Sequence, residues 1–339
     1  MLRRLPLRSL WRILSETNLE AIRRGAESRF EVLVAGDDRA GAEQLATLIG
    51  DTGDAGAAPG GRAPTHPWLH VADASTAAPV LGREPFSLAV LVSRKAELSR
   101  PLSSIRDDLS ARGVPIVVVV IGVSGKTAAI VRRSESQRVT VASLDAAALA
   151  AIGQVLLTAM PPELRLGLGR QFPALRALLF VSLIDETARA NAGYAFASGI
   201  AEIIPAVNIA MNLGDVVILT KNQLIMSYKI ALVAGKSGTP RHLIGEILGV
   251  LGGGLLFRQV ARQLVGLIPV VGIAPKVAVA YGGTWAIGQA VVLWATTGQA
   301  LTMASVGHFF DEGLKRGRKA ARALVSRRRG KKRAQSTSR

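Results

Sequence analysis

The sequence predicts an α/β domain followed by an all-α domain, and three observations indicate this division. Between residues 30 and 160, short apolar runs alternate with helical stretches, which is the order typical of a parallel sheet covered by helices. From Pro173 onward the strand signals disappear. The stretch 277–310 then contains no Asp, Glu, Lys or Arg over 34 positions, which suits helices buried in a protein core or in lipid.

The bulk composition excludes several classes of site. The chain has 339 residues, enough for two domains of ordinary size, and its mean hydropathy is +0.31. It contains no cysteine, which excludes disulfides and cysteine-based metal sites. The four histidines, His66, His70, His242 and His308, lack the spacing of metal ligands. We therefore expect no catalytic metal and no other cofactor.

Shifts in composition predict five segments. They are a basic amphipathic N-terminal helix at 1–29, an α/β domain at 30–160, a linker at 161–172, an apolar helical domain at 173–312 and a disordered basic tail at 313–339. In the first segment, leucines at helical spacing alternate with arginines. That pattern predicts either a helix at a membrane interface or a short helix packed on the protein's own surface.

Strands and helices alternate through the α/β domain. Strands are predicted at 30–35, 68–72, 87–92, 115–121 and 138–142. Helices are predicted at 40–50, 97–112 and 145–159. The segment 53–67 is rich in Gly, Ala and Pro, which predicts a loop.

The segment VAGDDRAGAEQLATLIGD at 34–51 resembles the first strand, phosphate loop and first helix of Ras-like, Era-type bacterial GTPases. Gly36 and Gly41 keep the four-residue gap of that loop. Ala42 and Glu43, however, stand where the family has its phosphate-binding Lys and its magnesium-binding Ser or Thr. Because a phosphate cradle needs backbone N–H groups and a cation facing the anion, we expect triphosphate binding to be weak or absent. The resemblance thus implies a degenerate P-loop GTPase-like sheet.

The other nucleotide motifs of that family are altered as well. The segment LHVADAST at 69–76 resembles the strand with the magnesium-proximal Asp, which makes Asp73 a candidate for that role. Thr76 replaces the glycine expected three positions later. In PIVVVVIGVSG at 115–125, none of the guanine-reading Asn, Lys and Asp side chains remains.

A second glycine-containing segment, GVSGKT at 122–127, places Lys126 after a strong strand. A phosphate loop needs four residues between its glycines, whereas Gly122 and Gly125 are separated by two. Lys126 is therefore either a phosphate ligand in an atypical loop or a solvated loop lysine.

Small residues at helical spacing mark the packing faces expected in the second half. Gly245, Gly249 and Gly253 follow one another at four-residue intervals, and Gly282 and Ala286 repeat this spacing. Such faces let another helix approach closely. A glycine-rich loop is the alternative for the C-terminal part of the first set.

The apolar block is expected to form two helices divided by Gly298. We expect 243–268 to pair with 276–297 as a hairpin. The length of the block favours a membrane, whereas lysines and arginines within the neighbouring apolar segments favour a water-soluble or interfacial bundle.

The second half also resembles a bacterial helical family. The similar segments are RQFPALR (170–176), ETARANAGYAF (186–196), KNQLIMSYKIA (221–231), LIPVVGIAPKVA (267–278) and GGTWAIGQAVVLWATTG (282–298). They resemble the family called domain of unknown function 697, which is found after Era-like GTPase domains and in inner-membrane proteins. The resemblance implies a helical module paired with a GTPase-like module, with no known activity.

The polybasic end of the chain predicts an anionic partner. The segment 313–339 carries 12 Lys or Arg and no acid, including Arg327, Arg328, Arg329, Lys331, Lys332 and Arg333. Such a segment can adsorb to anionic lipid, at about 1 kcal/mol per residue, or bind nucleic acid without sequence specificity. We favour lipid, since the apolar block precedes the segment and no aromatic residue interrupts it.

Together these features predict a non-catalytic, membrane-associated pseudo-GTPase that acts as a scaffold or regulatory module. We expect it at the cytoplasmic side of the bacterial cytoplasmic membrane, with a protein partner or with self-association. Two alternatives stay open. One is a nucleotide hydrolase with an atypical phosphate loop, and the other is a soluble cytoplasmic module that binds nucleic acid through its basic tail.

Overall fold

The chain divides into two compact units, an α/β unit at Arg24–Leu179 and a helical unit formed by Met1–Arg23 and Phe180–Arg339. The structure is a computed structural model. It describes residues 14, 17–50, 66–75, 81–82, 85–122, 129–133, 136–201, 208–252, 273–299 and 302–337. The predicted order of an α/β half followed by an all-α half is confirmed.

The elements of the first half alternate as the hydrophobic pattern predicts. They are α1 (Leu19–Glu27), β1 (Val32–Gly36), α2 (Arg39–Gly50), β2 (Leu69–Asp73), β3 (Leu88–Ser93), α3 (Arg100–Ala111), β4 (Ile116–Ile121), β5 (Ala129–Arg133), β6 (Ser136–Val141), α4 (Ala146–Ala159) and α5 (Arg165–Gln171). Every strand predicted from the sequence overlaps an observed strand. The additional strand is β5.

The six described strands form one sheet in the order β2-β1-β3-β4-β6-β5. Five of them run parallel, and β5 pairs antiparallel with β6 at the edge. All residues of β1, β3 and β4 are buried, as expected for central parallel strands covered on both faces. The apolar runs that predicted these strands are the interior of the sheet.

The segment expected to be a linker, 161–172, instead belongs to the α/β unit. It contains α5, in which Leu166 and Leu168 are buried. The ring of Phe172 lies 6.0 Å from that of Phe30 and 4.5 Å from that of His66. Pro161 and Pro162 lie between α4 and α5, and the apolar residues that follow them pack into the core of this unit.

All the described regular elements of the second half are helices. Its elements are α6 (Pro173–Ala201), α7 (Asn208–Val233), α8 (Pro240–Gly252), α9 (Ile273–Thr297) and α10 (Met303–Thr337). Within the helical unit, α9 packs against α7, α8 and α10, and every residue from 281 to 288 is buried. Helix α9 is therefore the central helix of this unit.

Among the described helices, the one long and apolar enough to cross a membrane is the part of α9 at Ala274–Thr297. Two thirds of its most apolar window, 67%, is buried inside the protein. A helix that is apolar all round is also what the centre of a helical core requires.

Helix α9 ends where the sequence predicted a division, because Gly298 has a positive φ of 69° immediately after Thr297. Among the described residues its most extensive contact is with α10. The described part of the predicted partner 243–268, which lies in α8, also contacts α9, and residues 253–268 lie outside the described residues. Helices α9 and α10 approach closely: a Cβ added at Gly313 would lie 2.7 Å from the carbonyl oxygen of Gly282. Ala286 is buried on the same helix as Gly282.

The predicted glycine face of 245–253 has no close neighbour in the described structure. A Cβ added at Gly245 or Gly249 would meet no described atom within 4 Å. Gly253 lies outside the described residues. The close helix contact is instead made by Gly313 and Gly317, which have the same four-residue spacing.

The basic end of the chain was expected to be disordered, but it is helical as far as Thr337. Two physical reasons account for this difference. The segment is rich in Ala, Arg and Lys, which have high helix propensity. Its first turns are also held against α9 through buried Gly313, Gly317 and Ala321.

Candidate functional site at the carboxyl edge of the sheet

In doubly wound sheets, ligands bind outside the carboxyl ends of the strands, where the strand order reverses direction. In this sheet that position lies between β1 and β3, because β2 lies on the other side of β1. Gly36 at the end of β1 is in register with Asp73 of β2 and with Val92 of β3. The structure thus brings the predicted loop at 36–43 and Asp73 to one edge.

The connection between β1 and α2 is shorter than a phosphate loop. Only Asp37 and Asp38 separate the strand from the helix, so Gly41, Ala42 and Glu43 lie in the first turns of α2. Gly36 lies at a tight turn, where an added Cβ would be 2.6 Å from the carbonyl oxygen of Asp38. The extended row of loop N–H groups that would surround a phosphate is therefore not formed here.

The first turn of α2 binds the protein's own carboxylate. Asp38 Oδ1 accepts a hydrogen bond from the backbone N–H of Gly41 at 2.6 Å, which is the arrangement of a helix N-cap. Asp38 Oδ2 accepts a second from Arg94 Nε at 3.2 Å. Both donors lower the pKa of Asp38 below its usual value, and the Gly41 N–H has the larger effect. A helix N-terminus that could face an external anion faces this carboxylate instead.

The neighbouring acids are engaged in local bonds as well. Asp37 Oδ2 accepts a hydrogen bond at 2.6 Å from the hydroxyl of Ser93, which is buried. Glu43 Oε1 lies 2.8 Å from Arg39 Nε. Asp73 Oδ1 accepts the backbone N–H of Ser75 at 2.9 Å. Arg39 and Arg94 are thus both paired with carboxylates of the protein.

The described residues contain no group of three His, Asp or Glu side chains that could hold a metal ion. Asp73, the candidate magnesium-proximal acid, forms an Asx-type turn with Ser75. Lys126 lies outside the described residues, so its alternative roles are not distinguished.

Ser93 and Arg94 are the site residues that the sequence did not single out. Ser93 is the last residue of β3, and Arg94 follows it directly. A polar triplet at the end of a buried strand (SRK at 93–95) was the available signal. Because carboxyl ends of parallel strands share an edge, a pairing of this triplet with Asp37 and Asp38 was within reach of the sequence.

A second polar cluster lies in the core of the helical unit. Asn191 of α6 is fully buried, and its Nδ2 donates to Thr284 Oγ1 of α9 at 2.9 Å. From α7, Asn222 Nδ2 donates to Asn191 Oδ1 at 2.8 Å, and Gln223 Nε2 donates to Thr284 Oγ1 at 3.1 Å. This amide network joins three helices. Satisfied buried polar networks of this kind specify how helices align.

The same helices are joined by a buried phenol. Tyr281 Oη of α9 donates to Asp185 Oδ1 of α6 at 2.5 Å. Burial is the main cause of a raised pKa of Tyr281, and the hydrogen bond to the Asp185 carboxylate raises it further. Arg316 of α10 lies over the ring of Trp285, with 4.0 Å from its Cζ to the ring centroid, and pairs with Glu312. These contacts are structural links between α6, α9 and α10.

Comparisons with known proteins place no further constraint on the site. No protein family model matches the chain, and neither a curated protein nor a solved structure matches it.

Proposed function

We propose that the protein is a non-catalytic, membrane-associated pseudo-GTPase whose α/β unit serves as a scaffold or regulatory module. The observation that carries this proposal is the position of the Asp38 carboxylate, which caps α2 and pairs with Arg94. An anion at that place competes directly with a phosphate group for the N-terminal end of the helix. Phosphoryl transfer also depends on positioned cations, and Ala42 and Glu43 supply none.

The resemblance to Era-type GTPases followed by a helical module supports the same function. A sheet that keeps its strand order but lacks a phosphate cradle can still present loops and helix faces to a protein partner. The helical unit, which resembles domain of unknown function 697, supplies the association with the inner face of the bacterial cytoplasmic membrane. The module then acts by binding a protein partner or a second copy of itself.

Calorimetric titration of the full chain with GTP and with ATP, each with Mg²⁺, tests the absence of a nucleotide site. We expect no saturable binding up to millimolar nucleotide. Saturable micromolar binding of either nucleotide by the unaltered chain would overturn the proposal and favour the hydrolase.

A pair of designed variants tests whether Asp38 itself closes the site. Ala42→Lys/Glu43→Ser restores the family's two chemical side chains, and the second variant adds Asp38→Gly. We expect the triple variant to bind GTP more tightly than the double variant, because the helix N-terminus is then open to a phosphate. Equal affinity of the two folded variants would show that the Asp38 carboxylate is not the obstacle.

A further inference from the structure

The outward face of α10 carries a stripe of basic side chains. Lys315, Arg318, Lys319 and Arg322 are all exposed, and their spacing of three and four residues places them on one face of the helix. We call these four residues the basic stripe. The opposite face, which includes Gly313, Gly317 and Ala321, is buried against the rest of the helical unit.

The cations of the basic stripe are available to a partner. Within the part of the chain that the structure describes, no ion pair involves any of the four. Arg316 differs from them, because it pairs with Glu312 and covers the ring of Trp285. The chain from 313 onward has no acid, and the backbone of α10 continues through six more Lys and Arg residues between 327 and 333.

The burial of α10 decides how it can meet a membrane. An inserting amphipathic helix must place an apolar face among the acyl chains. Val306, Phe310, Gly313, Gly317 and Ala321 of α10 are buried within the protein, and Leu314, Leu324 and Val325 are half-buried. Adsorption through the basic stripe is then mainly electrostatic. It falls as salt screens the charges, over a Debye length of about 10 Å at 0.1 M ionic strength.

Two features favour anionic lipid over nucleic acid as the partner. No aromatic residue follows Phe310, so the basic part of α10 has no ring on which a base could stack. The segment Met1–Arg23 belongs to the same unit, and its sequence interleaves Leu and Trp with four arginines before residue 13. That combination is typical of segments at membrane interfaces.

We propose that the basic stripe of α10 is a membrane-binding surface, which holds the helical unit to anionic lipid headgroups while α9 stays in the protein core. This inference rests on the membrane association in the proposed function and specifies its contact surface and its electrostatic nature. It is independent of whether the α/β unit binds nucleotide.

Co-sedimentation of the full chain with phosphatidylcholine vesicles that contain or lack phosphatidylglycerol tests this surface. We expect binding only to vesicles with phosphatidylglycerol, and release by high salt. Each cation near an anionic surface contributes about fivefold in affinity. Arg318→Gln/Arg322→Gln should therefore weaken vesicle binding by about 25-fold, with an unchanged circular dichroism spectrum because both side chains are exposed.

Arg100→Gln/Arg241→Gln is the matched control, since it removes two exposed cations from other helices. We expect its vesicle affinity to stay within twofold of the unaltered chain. Equal losses in the two double variants would overturn the proposal, and so would salt-resistant binding to phosphatidylcholine alone. Tighter binding to duplex DNA than to the anionic vesicles at the same ionic strength would also overturn it. A nucleotide titration of the same samples reports separately on the α/β unit.

Discussion

At the scale of single residues, Asp38 links the start of a helix to the closure of a site. Its carboxylate accepts a hydrogen bond from the Gly41 N–H, which would otherwise have no partner in the first turn of α2. We expect Asp38→Ala to lower the free energy of unfolding of the α/β unit by about 0.5–2 kcal/mol, the usual cost of removing an N-cap. Asp38→Asn should cost less, because Asn caps helices about as well as Asp. Urea denaturation followed by circular dichroism measures both.

The charge of Asp38 gives this effect a pH dependence. Its pKa in the folded state lies below the usual value of an Asp carboxyl, because the Gly41 N–H and Arg94 stabilise the carboxylate. The folded state therefore binds fewer protons than the unfolded state at acidic pH. The contribution is present above the unfolded pKa and is lost as the pH falls through the folded pKa. We therefore expect the difference in unfolding free energy between the unaltered chain and Asp38→Asn to shrink steadily in acid. A difference that stays constant with pH would contradict the role of the charge.

Asn191 is the residue on which the polar core of the helical unit depends. It is the donor to Thr284 and the acceptor from Asn222. Asn191→Leu should destabilise the unit by about 1–3 kcal/mol, because buried partners lose their hydrogen bonds. A cycle of Asn191→Leu, Thr284→Val and the double variant measures the coupling, which we expect to exceed about 0.5 kcal/mol. Additive losses would show that the two side chains act independently.

At this scale the sequence predicted positions better than roles. Gly36, Gly41 and Asp73 lie at the predicted edge of the sheet. The role of Asp38 as a helix cap was not predicted, because it depends on only two residues separating β1 from α2. A four-residue glycine gap is compatible with either a loop or a helical first turn.

At the scale of elements, the contact between α9 and α10 depends on close backbone approach. A Cβ at Gly313 would lie 2.7 Å from the Gly282 carbonyl oxygen and 2.9 Å from Trp285 Cβ. We expect Gly313→Ala to destabilise the helical unit by about 1–3 kcal/mol, since backbone atoms must move apart. Urea denaturation provides the measurement.

Gly307 offers the same substitution on the same helix without the contact. A Cβ there would meet no described atom within 4 Å. Gly307→Ala should therefore be neutral or stabilising, by up to roughly 1 kcal/mol from helix propensity. If both variants lose the same stability, close packing at Gly313 is not the cause.

Some elements can be predicted from their own residues alone, whereas others depend on the segments that they pack against. The buried strand β4 was predictable, because a run of apolar β-branched residues allows little else. The edge strand β5 was missed, since its sequence AIVRR is short and charged and its pairing is set by β6. The charge of the basic end predicts disorder, but the segment is helical, and Gly313 and Gly317 share one face that packs on α9.

At the scale of the whole molecule, the two units distribute apolar surface and charge in different ways. The α/β unit encloses its apolar strands within its own layers. The helical unit encloses α9 with α7, α8 and α10 and exposes the basic stripe on α10. The length and composition of α9 are compatible with lipid and with a protein core. The structure adds that 67% of its most apolar window is buried by other helices, and a local hydropathy pattern does not contain the positions of those helices.

Together with the proposed membrane association, this arrangement predicts how the protein is released from a membrane. If α9 remains in the core, only electrostatic attraction holds the chain in a bacterial membrane fraction. It should then be released without detergent by high salt, which screens this attraction, or by alkaline carbonate, which removes the charge of lysine side chains. An integral membrane protein of the same cells, which stays in the pellet under both washes, serves as the control. Retention of the chain until detergent is added would show that α9 enters the bilayer, and the helical unit would then have to open around it. Release by salt would instead place the whole chain on the membrane surface, with its apolar helix shielded by its own neighbours.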